Sequence, residues 1–239
     1  MIQPLFKHPK HCVDILRESA KIGSQREFVA RGANTSRCPS CLMSEFACFC
    51  DHRQTSNTAI QFTLLFHYTE IHKPTNSGRL IADLFPNQTQ AFIWSRTSPC
   101  EPLTKRIAKY QSNSIILYPE TQRRLETQRH IEKLNHSNTP LHVIVLDATW
   151  RLASKMLHQS RWLDDIPTLG ISEDIQKTFM VRQAKHDHQF ATAEVVAMLM
   201  AQANEPQQGK LLEDYYQIFN HHSLWSRKRA GTPKTSTDT

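Results

Sequence analysis

The chain lacks any long hydrophobic segment and has no internal repeat. No stretch of its 239 residues approaches the roughly twenty consecutive apolar residues that a membrane-spanning helix requires, so a membrane-spanning protein is excluded. The opening MIQPLFKHPK also lacks the apolar run of a secretory signal peptide. We therefore expect a protein of the reducing cytoplasm.

Acidic residues are outnumbered by basic ones. The sequence has 29 Lys and Arg against 22 Asp and Glu, which gives a formal net charge of +7. A basic balance favours an acidic partner, of which nucleic acid is the commonest, but many basic proteins bind no anion. The length and the 39% hydrophobic content fit one globular domain of ordinary core size with a small appendage.

Four of the six cysteines lie within thirteen residues, in the segment RCPSCLMSEFACFC. Cys38, Cys41, Cys48 and Cys50 form a C-x2-C pair and a C-x-C pair separated by six residues, a spacing that supplies the four thiolates of a tetrahedral Zn2+ site. Two disulfides, or cysteines buried as small hydrophobes, are the alternatives, and a reducing compartment disfavours disulfides. A site with four cysteine ligands has no open position for a substrate, so we expect the zinc ion to be structural.

The rest of the chain alternates apolar runs of strand length with amphipathic segments. This alternation predicts an α/β fold, in which a parallel sheet is flanked by helices. The predicted strands lie at 59–68, 91–95, 114–119, 141–148 and 166–171, and the predicted helices at 77–85, 100–111, 120–134, 149–157, 190–203 and 210–226, after a lead-in helix within 1–35. We divide the chain into an N-terminal arm with a small cysteine knuckle (1–56), a main α/β domain (57–229) and a disordered tail (230–239).

Polar side chains cluster where the predicted strands end. His67 and Glu70 follow the first strand, Tyr118 ends the third, and Asp147 ends the fourth. Ligands of parallel α/β sheets bind beyond the carboxyl ends of the strands, so these residues are candidates for a site. Asp147 also directly precedes a predicted helix, and an N-cap that complements the helix dipole is the simpler interpretation. The large ring of Trp150 close to Asp147 in the sequence favours a functional interpretation of this carboxylate.

Several motifs resemble those of the DTW-domain proteins, a branch of the SPOUT-like superfamily that also contains enzymes that modify ribosomal RNA. Asp147-x-Thr149-Trp150 resembles the signature that names the family, and LLFHYTEIHKPTNSGRL (64–80) is similar to its H-x-x-E…N-[ST]-G-R-L segment. ILYPE (116–120) resembles the L-Y-P loop, and TAEVVA (192–197) resembles the S-T-x-E-A element. The cysteine pattern resembles that of bacterial members that carry an N-terminal zinc knuckle. Tyr68 and Thr69 depart from the family, because they replace the usual residues between the histidine and the glutamate.

The resemblance implies a tRNA-uridine aminocarboxypropyltransferase. Such an enzyme moves the 3-amino-3-carboxypropyl group of S-adenosylmethionine to N3 of a uridine in the tRNA variable loop and releases 5′-methylthioadenosine. The resemblance also implies a SPOUT-like sheet whose C-terminal half can be knotted. We expect tRNA as the partner, not DNA or a membrane, and the sequence leaves open whether the protein is a monomer or a homodimer. A SPOUT-type RNA methyltransferase and a non-catalytic, zinc-stapled RNA-binding module are the alternatives.

Two arguments give the expected site residues: the resemblance, and the rule that ligands of parallel sheets bind beyond the carboxyl ends of the strands, here called the strand-end rule. Asp147 is the expected general base, because N3 of uridine is a poor nucleophile until it loses its proton. The expected donor-binding residues are Leu117, Tyr118, Pro119, Leu146, Asp147, Thr149, Trp150, Thr192 and Glu194. The expected RNA-binding residues are His67, Glu70, Lys73, Asn76, Arg79, Arg151, Lys155 and Arg182. The ring of Trp150 or Tyr118 is expected to stack on the target base.

Overall fold

Helices and parallel strands make up most of the chain that the structure describes. The structure is a computed structural model that describes residues 8–22, 35–118, 139–171, 176 and 190–228. The predicted helix at 120–134, the predicted site residues Pro119 and Arg182, and the predicted tail lie outside the described residues.

Five parallel strands form one sheet, which confirms the predicted α/β fold with flanking helices. The strands are β1 (Gln61–Phe66), β2 (Thr89–Ile93), β3 (Ser114–Leu117), β4 (His142–Asp147) and β5 (Thr168–Leu169), and each overlaps a predicted one. Their order in the sheet is β2-β1-β4-β3-β5. The central strand β4 therefore has β1 on one side and β3 on the other, and Phe66 of β1 is paired with Asp147 of β4. The predicted knot stays a prediction.

Helices cover both faces of this sheet. They are α1 (Cys12–Ile22), α2 (Arg79–Leu84), α3 (Glu101–Tyr110), α4 (Trp150–Gln159), α5 (Thr192–Gln202) and α6 (Pro206–Lys228). A proline near the start of α3 and another at the first residue of α6 suit the first helical turn, where the missing N–H has no partner in any case. Among these described helices, none combines the length and the apolar character needed to cross a membrane.

Alternate residues of the buried strands pack into two separate hydrophobic clusters. Phe62, Leu64 and Phe66 of β1 face the cluster that contains α2, α5 and α6, whereas Leu65 faces the cluster with α3 and α4. A strand buried on both faces is apolar at almost every position, and for this reason the sequence shows continuous apolar runs instead of an alternating pattern.

The cysteine knuckle is part of the first cluster. Cys41 and Phe49 are completely buried, and the ring of Phe49 lies 5.8 Å from Tyr215 and 5.6 Å from Phe219 of α6. The hydroxyl groups of Ser44 and Ser226 are 2.8 Å apart and join the same two elements. The knuckle and the sheet thus share one hydrophobic cluster, and the domain boundary between residues 56 and 57 stays a prediction.

A buried carboxylate, Asp83, gathers charged side chains from several elements. His11 lies 2.8 Å from its Oδ1, Arg79 lies 3.2 Å from its Oδ2, Arg53 lies 3.4 Å from Oδ1, and the hydroxyl of Tyr215 donates to Oδ2 at 3.3 Å. Burial alone would raise the pKa of Asp83, but Arg79 and the other cations outweigh it and hold that pKa well below its ordinary value. The cluster ties α1, α2 and α6 together around a permanent negative charge.

A second polar network closes the amino-terminal end of the sheet. Arg106 donates to the hydroxyl of Thr63 at 3.0 Å, and this hydroxyl lies 2.7 Å from Nε2 of His142. Nδ1 of His142 lies 2.8 Å from the hydroxyl of Ser114, which itself donates to the carbonyl of Tyr110. His142 therefore donates from Nδ1 and accepts at Nε2, as a neutral ring does. Burial, and then the charge of Arg106, lower the pKa of His142 to about 3.

We predict that His142→Gln removes part of the acid sensitivity of the fold. Between pH 6.5, the ordinary pKa, and pH 3, the unfolded chain takes up a proton at His142 that the folded protein does not. The stability that His142 contributes is therefore complete above pH 6.5 and declines below it, by up to about 1.4 kcal/mol per pH unit. Denaturant unfolding at pH 7 and at pH 5 should show a smaller loss in the variant. His221→Gln, an exposed control, should behave like the unaltered protein.

Candidate active site

The sheet topology brings the predicted strand-end residues together. Because β1 lies beside β4, the backbone N–H of His67 donates to the backbone carbonyl of Asp147 at 3.2 Å. On the other side, Tyr118 follows β3, and its ring lies 6.4 Å from that of Trp150 in an edge-on arrangement. Asp147 thus lies at the centre of the carboxyl edge, where ligands of parallel sheets bind.

The side chain of Asp147 is tied to the turn that precedes α2. Nδ2 of Asn76 donates to Oδ1 of Asp147 at 2.7 Å, and Oδ1 of Asn76 accepts the backbone N–H of Arg79 at 3.1 Å. The residue before α4 is Thr149, and within the described residues the carboxylate of Asp147 binds Asn76 instead of the first N–H groups of α4. The N-cap interpretation therefore does not describe the contact that Asp147 makes.

The second oxygen of Asp147 lies against Gly78. A Cβ atom on residue 78 would lie 1.6 Å from Oδ2 of Asp147, so only glycine leaves room for the carboxylate. Oδ2 is buried and makes no hydrogen bond to any described residue. The backbone N–H of Gly78 nevertheless lies close enough to favour the ionised form. Asp147 is 4% exposed, and it combines one oxygen bonded to Asn76 with one that accepts no hydrogen bond from the described part of the chain.

The environment of Asp147 favours the protonated acid. Burial is the largest cause and, with the nearby charge of Glu70, raises the pKa of Asp147 to about 7, although the amide of Asn76 and the charge of Lys73 act in the opposite direction. A carboxyl group with this pKa exchanges its proton near neutral pH. Such values are typical of groups that serve as general bases or acids.

The ring of His67, whose backbone is bonded to that of Asp147, is held in one orientation. Its Nδ1 accepts the backbone N–H of Thr69 at 3.4 Å and lies 2.8 Å from the hydroxyl of the same residue. A ring that accepts at Nδ1 carries its proton on Nε2 when it is neutral. Burial lowers the pKa of His67, and Lys155 and Lys73 add to this effect against the charge of Glu70. His67 therefore presents a neutral N–H donor.

Aromatic rings surround the same edge, and two of them were not predicted as site residues. Tyr68 is 67% exposed, and its ring lies 4.7 Å from that of His67. Trp94, which follows β2, is also stacked on His67, with ring centroids 6.0 Å apart. The strand-end rule could have found Trp94, since it lies within the predicted strand 91–95. Trp150 is 49% exposed and could stack on a base.

The remaining predicted donor-binding residues differ in accessibility. Leu117 and Leu146 are buried strand residues, Thr149 is exposed, and Thr192 is half-buried at the start of α5. The start of α5 reaches the site through Ser77, whose hydroxyl accepts the N–H of Ala193 at 3.4 Å.

Glu194 is turned into the fold. It is 1% exposed, and its carboxylate accepts the backbone N–H of Ala191 at 2.7 Å. Burial and this carboxylate raise the pKa of Tyr216 to about 12. The geometry of Glu194 is that of a helix cap.

The predicted RNA-binding cations fall into two groups. Arg151 and Lys155 are exposed on α4, one turn apart, and Lys73 is partly exposed. Arg79 is 3% exposed, stacks over the ring of Phe49 at 5.6 Å and pairs with Asp83. This burial argues against the predicted contact of Arg79 with RNA.

The four cysteines of the knuckle form a cluster that fits a zinc ion. Their sulfur atoms all lie within 4.8 Å of one another, with Cys38 and Cys50 3.6 Å apart and Cys41 and Cys48 3.8 Å apart. Zn–S bonds of about 2.3 Å in a tetrahedron place the sulfurs about 3.8 Å apart. The four thiolates would hold the ion with no position left for a substrate.

Comparison with known protein families assigns the chain. A model of the DTW domain matches residues 35–224, which is more than half of the sequence. The chain belongs to the DTW-domain family. The matched range of the DTW domain includes the cysteine knuckle, the whole sheet edge and most of α6, and a DTW domain is consistent with a tRNA-modifying enzyme. No solved structure matches the chain.

We predict that Gly78→Ala disrupts the DTW site through Asp147. The added methyl group would displace the carboxylate from Asn76 and should lower the free energy of unfolding by about 1–3 kcal/mol. In the double variant Gly78→Ala/Asp147→Ala the clash is absent. Alanine at position 78 should therefore lower the free energy of unfolding much less in the Asp147→Ala background than in the unaltered protein. Denaturant unfolding of the four proteins of this cycle measures the difference. Equal costs in both backgrounds would mean that the glycine serves another purpose.

We also predict one zinc ion per chain, held by the knuckle. Cobalt substitution should give the absorption bands of a tetrahedral thiolate site, and a strong chelator should lower the melting temperature because Cys41 and Phe49 are core residues. Cys41→Ser should abolish metal binding, whereas Cys100→Ser, at an exposed position, should leave it intact. Elemental analysis of protein purified under reducing conditions provides the count, and a metal-free, disulfide-linked knuckle would contradict the assignment.

Proposed function

We propose that the protein is a tRNA-uridine aminocarboxypropyltransferase. It transfers the 3-amino-3-carboxypropyl group of S-adenosylmethionine to N3 of a uridine in the tRNA variable loop. The family supports an enzyme that modifies tRNA, and the finer assignment rests on the chemistry available at the carboxyl edge of the sheet. The observation that carries it is a buried carboxyl group, Asp147, whose pKa is raised to about 7 and whose Oδ2 has no partner among the described residues.

The reaction needs a group that removes a proton from a weak acid. The N3 nitrogen of uridine attacks the γ-carbon of the methionine portion, the bond from that carbon to sulfur breaks, and neutral 5′-methylthioadenosine leaves. The proton of N3 passes to Asp147, whose raised pKa makes it a stronger base than an exposed aspartate. Asn76 holds the carboxylate in place from its other oxygen.

The donor has a suitable place at this edge. Tyr118 follows β3, Leu146 and Asp147 end β4, and a short loop leads from there to Trp150; this edge is where parallel sheets hold ligands. The orientation of the sulfonium decides which of its three carbons meets the base, because displacement requires the nucleophile to lie in line behind the breaking bond. Thr149, just before α4, is an exposed polar residue, and Thr192, at the start of α5, is a half-buried one.

The RNA has cations and an aromatic platform close by. Arg151 and Lys155 are exposed on the helix that starts beside Asp147, and they suit phosphate contacts. Trp150, half exposed and three residues after Asp147, suits stacking on a uridine that has left its helical stack. The net charge of +7 favours tRNA association in general.

Double labelling of the donor tests the reaction. The protein is incubated with tRNA and with S-adenosylmethionine that carries separate isotopic labels in its methyl and carboxypropyl portions, and nucleosides are analysed by mass spectrometry. Carboxypropyl label on uridine, with release of 5′-methylthioadenosine, is the expected result. Methyl label on RNA would identify a methyltransferase instead. Binding of tRNA without binding of S-adenosylmethionine would identify a non-catalytic module.

We predict that Asp147→Asn lowers kcat/KM by about 100-fold to 10,000-fold, since an amide cannot accept the proton. In the unaltered enzyme the rate should fall as the pH drops below about 7, because protonation removes the base, and this acid limb should be absent from the residual activity of the variant. Asp165→Asn, at an exposed position, is the matched control. Unchanged turnover by Asp147→Asn would refute the assigned base.

A further inference from the structure

Glu70 and Lys73 form an ion pair that differs from those on the protein surface. Nζ of Lys73 donates to Oε1 of Glu70 at 2.7 Å, and the two side chains are 40% and 10% exposed, respectively. In the comparable pair on α3, Lys105 and Glu101 are 74% and 75% exposed. Burial of a carboxylate costs free energy that one partly exposed lysine offsets only in part, so a buried Glu70 calls for a further explanation.

The segment that carries this pair is fixed to Asp147 at both of its ends. It begins at His67, whose N–H binds the backbone of Asp147, and ends at Asn76, whose side chain binds the carboxylate. Successive turn hydrogen bonds connect residue 67 to 70, 70 to 73 and 73 to 76. The Glu70–Lys73 pair therefore has a defined position next to the proposed base.

Both members of the pair retain unused hydrogen-bonding capacity. Among the described residues, Glu70 accepts the ammonium group of Lys73 at Oε1, which leaves Oε2 as an acceptor. An ammonium group has three donors, and Lys73 uses one of them on Glu70. The pair thus offers a negative acceptor and positive donors side by side.

We propose that the Glu70–Lys73 pair binds the zwitterionic amino-acid end of the donor. Glu70 receives the α-ammonium group and Lys73 receives the α-carboxylate, an arrangement in which each charge faces its opposite. The inference rests on the proposed function, because it names the part of that site that holds the transferred group. It replaces the RNA contact predicted for these two residues from the sequence. Glu70 would repel a phosphate, whereas Arg151 and Lys155 are exposed and pair with no carboxylate of the described residues, so they remain the phosphate candidates.

This placement would also explain how the transferred carbon is selected. When the amino-acid end is held beside Asp147, the carboxypropyl arm would lie across the carboxyl edge of the sheet. Its γ-carbon would then be the electrophilic carbon nearest to Asp147, the proposed general base. Recognition of a zwitterion by one carboxylate and one ammonium group is specific, because a ligand that lacks either charge leaves one member of the pair unsatisfied.

Calorimetry with two donors tests the assignment. S-adenosylmethionine is compared with decarboxylated S-adenosylmethionine, which keeps the ammonium group and lacks the α-carboxylate. The unaltered protein should bind the first about tenfold to a hundredfold more tightly. Lys73→Met should abolish this preference, Lys73→Arg should restore much of it, and Glu70→Gln should weaken both ligands about equally. Lys105→Met and Glu101→Gln are the matched controls and should bind both donors as the unaltered protein does.

The outcomes separate this inference from the function on which it rests. If the unaltered protein fails to bind S-adenosylmethionine, the proposed function is wrong and the inference falls with it. If it binds and transfers the group, but Lys73→Met keeps the preference for the carboxylate, only the inference is wrong. A loss of tRNA affinity in Lys73→Met with unchanged donor binding would mean that Lys73 contacts the RNA, as predicted from the sequence, and not the donor. Circular dichroism confirms that each variant is folded before binding is measured.

Discussion

The contact between Asp147 and the turn before α2 is the constraint on which the candidate site depends. One carboxylate oxygen accepts the amide of Asn76, and the other lies where a Cβ on Gly78 would have to be. Because the backbone of Asp147 also accepts the N–H of His67, β1, β4 and α2 are held in one arrangement. Every polar group of the site that follows β1 takes its position from this contact.

Asp83 and Asp147 are both buried, but their surroundings give the first a structural role and suit the second to proton transfer. Asp83 is surrounded by Arg79, Arg53 and His11, so its pKa is depressed and it stays charged as the centre of a structural cluster. Burial, together with the nearby charge of Glu70, raises the pKa of Asp147 to about 7, and the hydrogen bond from the neutral amide of Asn76 offsets only part of this rise. Asp83 therefore stays ionised, whereas Asp147 can exchange a proton near neutral pH.

Much of the fold could be predicted because its signals are local. Strands that are buried on both faces appear as apolar runs, and the close spacing of Cys38, Cys41, Cys48 and Cys50 is itself a ligand pattern. The strand-end rule also found Asp147, since a polar residue directly after a buried run must emerge at the sheet edge. The burial of Arg79 could not be predicted, because it depends on Phe49, a partner far away in the chain, and the burial of Glu194 depends on which face of α5 is covered.

By itself, the sequence determined the parallel α/β sheet, the cysteine knuckle and the polar residues at the ends of three strands, because hydrophobic period and ligand spacing are properties of neighbouring residues. Only the tertiary structure decided that β4 lies between β1 and β3, that Asn76 and Gly78 close around Asp147, and that the knuckle is buried against α6. Strand order and side-chain burial follow from packing between distant segments, and no local pattern encodes which segments will meet.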